Sequence, residues 1–235
     1  MTPRKARIAA AFAAASASYD RHAEVQERAA RLLLDRISLP SPCPRVLEIG
    51  CGTGGLTRRL HPRIGGDWVI TDLAPAMVES VRPRVPGALF RVMDGERPDP
   101  DLDGFDLIVG NLAAQWFEDP PGAIRRLQGR LAPNGRLLMT SLGPDSFREW
   151  RDLFARFGLI PGTLTFPPLP GAERVRVTHP YPDAKSFLRS LKGLGATVPA
   201  DHHRPLGAGS LRRVLAAAAR PFAVTYEILI VDIGR

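Results

Sequence analysis

The chain has 235 residues, 44% of them hydrophobic, which is enough for one sizeable α/β domain with a full core. Its net charge of +8 comes mainly from arginines, and these are spread along the chain without an interleaved aromatic platform, which argues against a nucleic-acid partner. An acidic partner and the amino-acid usage of a GC-rich genome both remain open as explanations of the charge. No apolar run approaches the roughly 20 residues of a membrane-spanning helix, so we predict no membrane association.

The number and spacing of the cysteines indicate the redox compartment and bear on metal binding. Cys43 and Cys51 are too few for a disulfide framework, and no Cys/His spacing suggests a structural zinc site. We therefore expect a reducing compartment, the cytoplasm, and no metal. The 235 residues are predicted to form a single domain.

The first 40 residues are predicted to be a helical lid. A basic, alanine-rich start resembles a targeting peptide, but alanine is only weakly hydrophobic. Ile8, Phe12 and Tyr19 recur at roughly helical spacing, which is typical of an amphipathic helix that packs on a domain or closes over a site. A second helix is predicted over residues 22–37.

Residues 45–54, with the sequence R-V-L-E-I-G-C-G-T-G, predict the centre of the fold. A short apolar strand ends in Gly50, Gly52 and Gly54, which allow the backbone to turn sharply and to approach a ligand closely. Glu48 breaks the apolar run. A carboxylate beside the turn suits a cofactor with a cationic amino group or sulfonium better than one with a pyrophosphate. The spacing is G-x-G-x-G, not G-x-G-x-x-G.

Three more apolar runs, at residues 68–72, 88–92 and 105–109, are predicted to be strands. Each ends at or near a polar side chain: Asp72, Asp94 and Asn111. Asp72 follows the glycine turn by about 20 residues, where doubly wound folds place the carboxylate that binds ribose hydroxyls. We expect these strand ends to meet at one crevice.

The rest of the chain alternates between helix and strand. Helices are predicted to begin near residue 56 and to cover 75–85, 119–131, 145–157, 183–192 and 210–219, and strands to cover 136–141, 174–178 and 222–232. P-N-G at 133–135 predicts a turn, and the proline-rich residues 158–171 predict irregular structure. The pattern indicates a doubly wound, mostly parallel sheet with helices on both faces. Residues 45–141 would be the cofactor-binding core, 142–220 helices and irregular lid segments, and 222–232 the final strand.

The E-I-G-C-G-T-G motif, the two acids and the asparagine together resemble the class I S-adenosylmethionine-dependent methyltransferases. The resemblance implies an antiparallel last strand, a methionine part held by Glu48 and the glycines, a ribose held by Asp72, and an adenine amino group on Asp94. Met77 would pack against the base or belong to the ordinary core. The full set implied for cofactor binding is Glu48, Gly50, Gly52, Gly54, Asp72, Leu73, Met77, Asp94 and Asn111.

Three further stretches, N-L-A-A-Q-W at 111–116, R-S-L-K-G-L-G-A-T at 189–197 and T-Y at 225–226, look like the malonyl-acyl-carrier-protein O-methyltransferases of biotin synthesis, the BioC family. The opening A-F and Y-D-R-H motifs agree, and the resemblance covers nearly the whole chain. It departs between residues 157 and 175, where the family usually has a further helix. The implied acceptor is a malonyl thioester on acyl carrier protein, or malonyl-coenzyme A. Its carboxylate is already ionised and needs no general base.

Candidate acceptor residues follow from this resemblance. Tyr19, Asn111, Gln115 and Trp116 would form the catalytic end of the site, with Phe12 closing over it, although Phe12 and Trp116 could equally be core. Arg189 and Lys192 lie three apart and share a helix face, so one of them could anchor the malonyl carboxylate or meet the acidic carrier. The alternative is a solvated basic face. The full set implied for substrate binding is Phe12, Tyr19, Trp116, Arg189 and Lys192.

Other functions stay open at this point. The chain is also similar to the arginine hydroxylase that assists complex I assembly, and it could be another small-molecule O- or C-methyltransferase. With a phenol or amine acceptor a base would be needed, and His22 is the candidate. A degenerate cofactor-binding scaffold is the non-enzymatic alternative.

Overall fold

The computed structural model describes residues 1–38, 43–199 and 206–234, in which seven strands form one sheet. The strands are β1 (Arg45–Ile49), β2 (Asp67–Asp72), β3 (Leu89–Val92), β4 (Phe105–Gly110), β5 (Leu131–Leu142), β6 (Glu173–Tyr181) and β7 (Phe222–Gly234). Their order is β3-β2-β1-β4-β5-β7-β6. Strands β1 to β5 pair in parallel, whereas β7 runs antiparallel to both β5 and β6. The predicted doubly wound sheet with an antiparallel last strand is confirmed.

Helices cover both faces of this sheet. They are α1 (Pro3–Ala15), α2 (Glu24–Leu34), α3 (Thr57–Ile64), α4 (Pro75–Val81), α5 (Pro120–Gln128), α6 (Arg148–Ala155), α7 (Ala184–Gly193) and α8 (Ala208–Ala216). Local sequence explains several starts. Side chains of Thr2, Asp119 and Asp183 accept backbone N–H groups in the first turns of α1, α5 and α7. Residues 39, 40 and 200–205 of the predicted lid segments lie outside the described residues.

The fifth strand begins earlier than predicted. The turn expected at residues 133–135 is instead an irregularity inside β5, where Asn134 has φ +64° and the register to β4 shifts. Leu131 pairs with Phe105 before this point, and Arg136 pairs with Leu107 after it. The Asn-Gly sequence therefore changes the backbone direction locally, but it forms a bulge and not a turn. The parts of β5 before and after it both pair with β4.

Two predicted helices begin later than expected. The helix predicted from residue 22 starts at Glu24, because residues 19–22 form a separate 3₁₀ turn. The helix predicted from residue 145 starts at Arg148, because Phe147 adopts the left-handed conformation with φ +63° and changes the chain direction. Residues 158–171 are irregular, as predicted.

Alternate strand residues point to opposite faces of the sheet, and each face has its own apolar cluster. Val46 and Leu107 belong to the cluster that includes α2, α6 and α7, whereas Leu47 and Ile108 belong to the cluster that includes α5. Because both faces of the central strands are buried, polar side chains that a ligand can reach are found at the strand ends. Within the described ranges, no helix combines the length and apolarity needed to cross a membrane.

Candidate active site

The glycine turn after β1 presents backbone to an open cleft. Gly50, Gly52 and Gly54 have φ values of +70°, +53° and +84°. A Cβ on Gly54 would lie 3.1 Å from the Val81 side chain, so this position is needed for close packing. A Cβ on Gly52 would meet only the Tyr19 hydroxyl, at 4.0 Å. Gly52 therefore faces the space that a ligand would fill.

Asp72 ties the end of β2 to this turn. The Gly52 N–H donates to Asp72 Oδ2 at 2.9 Å, and the Ala74 N–H donates to Oδ1 at 2.8 Å. Burial raises the pKa of Asp72, although these two hydrogen bonds lower it. An ionised carboxylate has about four acceptor positions, so Asp72 can still accept hydrogen bonds from a ligand in the cleft.

Glu48 is buried beneath the turn. Its carboxylate accepts a hydrogen bond of 2.7 Å from Thr57 Oγ1, and burial raises the pKa of Glu48 to about 8 despite that bond. Glu48 lines a small cleft together with Tyr19, Gly50 and Gly52. A ligand with a cationic amino group would supply a positive charge that stabilises the ionised form of Glu48.

Asp94 lies at the other end of the cleft, and it already has a cationic partner. Lys5 Nζ, from α1, donates to Asp94 Oδ2 at 2.6 Å, to Oδ1 at 2.8 Å and to Glu96 Oε2 at 2.5 Å. The Lys5 side chain is only 4% exposed. Asp94 was predicted to meet an adenine amino group, which stays a prediction, and the structure shows that it anchors α1 through Lys5.

One cavity at the carboxyl ends of the parallel strands brings most of these groups together, although Glu48 and Gly54 do not line it. It is lined by eleven predicted site residues: Phe12, Tyr19, Gly50, Gly52, Asp72, Leu73, Met77, Asp94, Asn111, Gln115 and Trp116. Met77 is buried and packs with Ala9 and Ala74, so α1 covers the cavity on this side. We call this space the reaction cavity.

Aromatic side chains close the acceptor end of the reaction cavity. Phe12 meets Trp116 edge-on, with ring centroids 5.1 Å apart, and lies 6.4 Å from the Tyr19 ring. Burial and the nearby Asp72 carboxylate raise the pKa of Tyr19 well above its ordinary value. Tyr19 therefore remains a protonated hydrogen-bond donor at neutral pH.

The two amide side chains are held firmly in place. Asn111 Nδ2 donates to the Gln26 carbonyl at 2.9 Å, and Asn111 Oδ1 accepts from Thr140 Oγ1 at 3.0 Å. Gln115 Nε2 donates to the Leu112 carbonyl at 2.6 Å. Both the amide nitrogen and the amide oxygen of Asn111 thus have protein partners. The main effect of these hydrogen bonds is to fix the end of β4.

Several cavity residues were missed from the sequence, among them the polar residues Lys5, Gln26 and Tyr226. Within the described residues, the buried Oε1 atoms of Gln26 and Gln115 have no hydrogen-bond partner. Unpaired buried acceptors are costly, so they indicate a ligand that brings donors. The amino group and ribose hydroxyls of S-adenosylmethionine are such donors, and the residues present therefore fit this cofactor.

The basic pair on α7 lies elsewhere. Arg189 and Lys192 are exposed, and neither lines the reaction cavity. Arg189 Nη2 donates to Ser186 Oγ at 2.9 Å, and the Arg189 side chain is 65% exposed. This position does not fit the anchoring of a malonyl carboxylate inside the cavity, whereas contact with a carrier is compatible with it. His22 packs against Gly193 and does not line the cavity either.

Comparison with known sequences identifies close relatives. The family described as "Methyltransferase domain" matches residues 19–218. The biotin biosynthesis bifunctional protein BioCD of Bordetella avium is 42% identical over 94% of the chain, which spans only half of that longer protein. The malonyl-[acyl-carrier protein] O-methyltransferase of Magnetococcus marinus is 40% identical, with 90% of this chain and 86% of the relative covered.

Solved structures agree on the fold. The YcgJ protein of Bacillus subtilis superposes with a TM-score of 0.61 at 15% identity, covering 88% of this chain and 98% of its own. A putative methyltransferase from Bacillus halodurans gives 0.61 at 11% identity, covering 87% and 97%. The glycine turn, the strand-end acids and these sequence relatives lead to the same conclusion: the chain belongs to the class I S-adenosylmethionine-dependent methyltransferases and, within them, to the malonyl-[acyl-carrier protein] O-methyltransferase family.

Proposed function

We propose that the chain transfers a methyl group from S-adenosylmethionine to the free carboxylate of a malonyl thioester carried by an acyl carrier protein, in biotin synthesis. Relatives named for this reaction support the proposal. The observation that carries it is the chemistry of the acceptor end of the reaction cavity. Among the described residues that line it, none is available as a general base, and an ionised carboxylate is an acceptor that needs none.

Each ionisable lining residue is already committed or stays protonated. Lys5 and Asp94 pair with each other, and Asp72 holds the glycine turn. Burial raises the pKa of both Tyr19 and Tyr226, so their hydroxyls keep their protons at neutral pH. A phenol or amine acceptor would find no base here, whereas a malonyl carboxylate arrives ionised.

Bound in the reaction cavity, S-adenosylmethionine supplies an electrophilic methyl group on a positively charged sulfur. The protein's part is to orient the acceptor, and well-held reactants gain on the order of 7 to 11 kcal/mol in this way. The Tyr19 hydroxyl can donate to one carboxylate oxygen, and Phe12 and Trp116 restrict the acceptor to a narrow approach. Ile8 and Leu112 add apolar walls, which exclude water from the sulfonium of the cofactor and the carboxylate of the acceptor.

The direct test uses purified protein and S-adenosylmethionine labelled in the methyl group. Malonyl-acyl carrier protein, malonyl-coenzyme A and unmalonylated carrier are offered separately. We expect base-labile label on the two malonyl thioesters and none on the bare carrier. Rescue of a biotin auxotroph that lacks its own methyltransferase provides the matching test in cells. Label on neither malonyl thioester, in a preparation that binds the cofactor, would reject the proposal.

Tyr19→Phe connects this activity to the cavity. Loss of one hydrogen bond to a charged acceptor costs roughly 1.5 to 3 kcal/mol, so kcat/KM should fall tenfold to hundredfold while cofactor affinity is kept. Tyr181→Phe is the matched control, because Tyr181 does not line the reaction cavity. Its hydroxyl pairs with that of Tyr226, so the loss is assigned to Tyr19 only where Tyr19→Phe falls well below this control. Equal rates in Tyr19→Phe and the unaltered protein would remove Tyr19 from the mechanism.

A further inference from the structure

A second apolar cavity, here called the side chamber, opens beside the reaction cavity. Its volume is about 430 Å³, within the range of ligand-binding sites. It lies between α6, α7, α8 and the irregular residues 158–171. The side chains that line it are mainly apolar and include Trp150, Phe154, Leu164, Phe166, Leu188 and Leu211.

The side chamber and the reaction cavity share a wall. Trp116, Leu142, Phe147, Leu191 and Ala196 line both spaces. The two spaces therefore adjoin at these five side chains, and an arm whose reactive end lies at the acceptor end of the reaction cavity would enter the side chamber by passing Trp116. Part of the wall, residues 162–166, belongs to the segment in which the chain departs from the family pattern it resembles.

The rim of the side chamber is basic. Three leucines on two helices line the chamber, and an exposed cation follows each: Leu188 and Arg189, Leu191 and Lys192, Leu211 and Arg212. Successive helix residues point about 100° apart, so each cation is turned out of the chamber lining, and all three side chains are exposed. We call these three cations the basic rim of the side chamber.

We propose that the side chamber holds the phosphopantetheine arm of the malonylated acyl carrier protein, with its phosphate at the basic rim and its thioester towards Trp116. This rests on the proposed function. The arm carries two amides joined by a short unbranched alkyl link, and a dimethyl-branched carbon next to its phosphodiester, which matches two threonines, an apolar interior and a cationic rim. Thr163 and Thr197 line the chamber and can serve the amides. The acidic carrier would dock against Arg189, Lys192 and Arg212, in accord with the net charge of +8.

Filling the chamber tests the path of the arm. Leu164→Trp adds bulk to its wall in an irregular segment, where an altered side chain disturbs little regular structure. Ile160→Trp is the matched control, because Ile160 lies in the same segment, is 82% exposed and lines neither cavity. Both variants are assayed with malonyl carrier, malonyl-pantetheine and malonyl-N-acetylcysteamine, whose arms decrease in length.

The loss should grow with the length of the arm. We expect Leu164→Trp to reduce kcat/KM at least tenfold with malonyl carrier, nearly as much with malonyl-pantetheine and far less with the cysteamine thioester. Affinity for S-adenosylmethionine should be unchanged, which also shows that the variant is folded. Equal losses on all three thioesters, or no loss on any, would overturn the proposal. If the unaltered protein methylates none of the three, the proposed function itself fails, which is a separate result.

Charge reversal tests the rim. Arg212→Glu should raise KM about tenfold for malonyl carrier at low salt, less at high salt, and should leave KM for malonyl-pantetheine within twofold. Arg63→Glu, on α3, changes the net charge equally, and Arg63 is exposed and lines neither cavity. Equal effects of the two reversals would show that only net charge matters and would reject the docking surface. Competition by a fatty acid but not by pantetheine would assign the chamber to a lipid instead.

Discussion

Asp72 links cofactor binding to the shape of the glycine turn through a single carboxylate. In Asp72→Ala, Gly52 and Ala74 lose their acceptor. The ribose would lose the partner that we predict for it. Charge-assisted hydrogen bonds of this kind are worth roughly 1.5 to 3 kcal/mol, so the Kd for S-adenosylmethionine should rise tenfold to hundredfold. Calorimetry measures this, with Asp67→Ala at the exposed start of β2 as control. An unchanged Kd in folded Asp72→Ala would exclude the ribose contact.

Glu48 makes cofactor binding depend on pH. Burial raises the pKa of Glu48 to about 8, so the cofactor-free protein holds this proton at pH 6.5. A cationic amino group favours the ionised form and must expel the proton on binding. Affinity should therefore increase as the pH rises towards 8 and fall above it, where the amino group of the free ligand loses its own proton.

Calorimetry in two buffers of different ionisation enthalpy checks the proton release from Glu48. At pH 6.5 the binding heats should differ between the buffers for the unaltered protein. They should agree for Glu48→Gln, which has no proton to release and should bind more weakly. Identical heats for the unaltered protein in both buffers would show that Glu48 does not change its protonation on binding.

At this scale, sequence could predict the residues that sit on recognisable strand ends, such as Asp72 and Asn111. It could not predict Lys5, because its partners Asp94 and Glu96 lie about 90 residues away and nothing local marks the pairing. Sequence placed Arg189 on a basic helix face, but could not show that this face points away from the reaction cavity.

Helix α1 is held over the reaction cavity at two points, the Lys5 ion pairs near its start and the Phe12 ring near its end. Burial raises the pKa of Glu96, but hydrogen bonds from Lys5 and from backbone N–H groups lower it below its ordinary value overall. Removing the cation takes an ion pair from both carboxylates and leaves Glu96 with Arg126, 3.6 Å away, and two backbone N–H groups. The helix then loses its anchor at the end of the cavity expected to bind adenine.

Lys5→Gln should accordingly lower the free energy of unfolding by about 3 kcal/mol, near the lower end for a broken buried ion pair, because Asp94 is partly exposed. Denaturant unfolding measures the change, and Arg4→Gln on the same helix is the matched control. Limited proteolysis should cut Lys5→Gln within the first 20 residues faster than the control. Equal stability and equal cleavage would show that the ion pairs do not hold the helix.

At the scale of elements, periodicity was sufficient for the parallel core, since the fully buried strands carry continuous apolar runs. It failed where one residue changes the local geometry. Asn134 allows β5 to continue through a bulge, and Phe147 delays α6 by turning left-handed. Neither effect is visible in propensities, because the neighbouring strand or the aromatic cluster around Phe147 decides the conformation.

At the scale of the whole molecule, a sheet continuous from β3 to β6 and helices packed on both faces predict one cooperative unit. The cofactor binds only the folded state, so at 100 times its Kd it should stabilise the protein by about 2.7 kcal/mol. For a chain of this length, that raises Tm by roughly 5 to 10 °C. Asp72→Ala at the same concentration should show about half of that shift or less, since its Kd is at least tenfold higher. Differential scanning calorimetry should record one transition in each case, and two separable transitions, only one moved by the cofactor, would contradict the single-domain prediction.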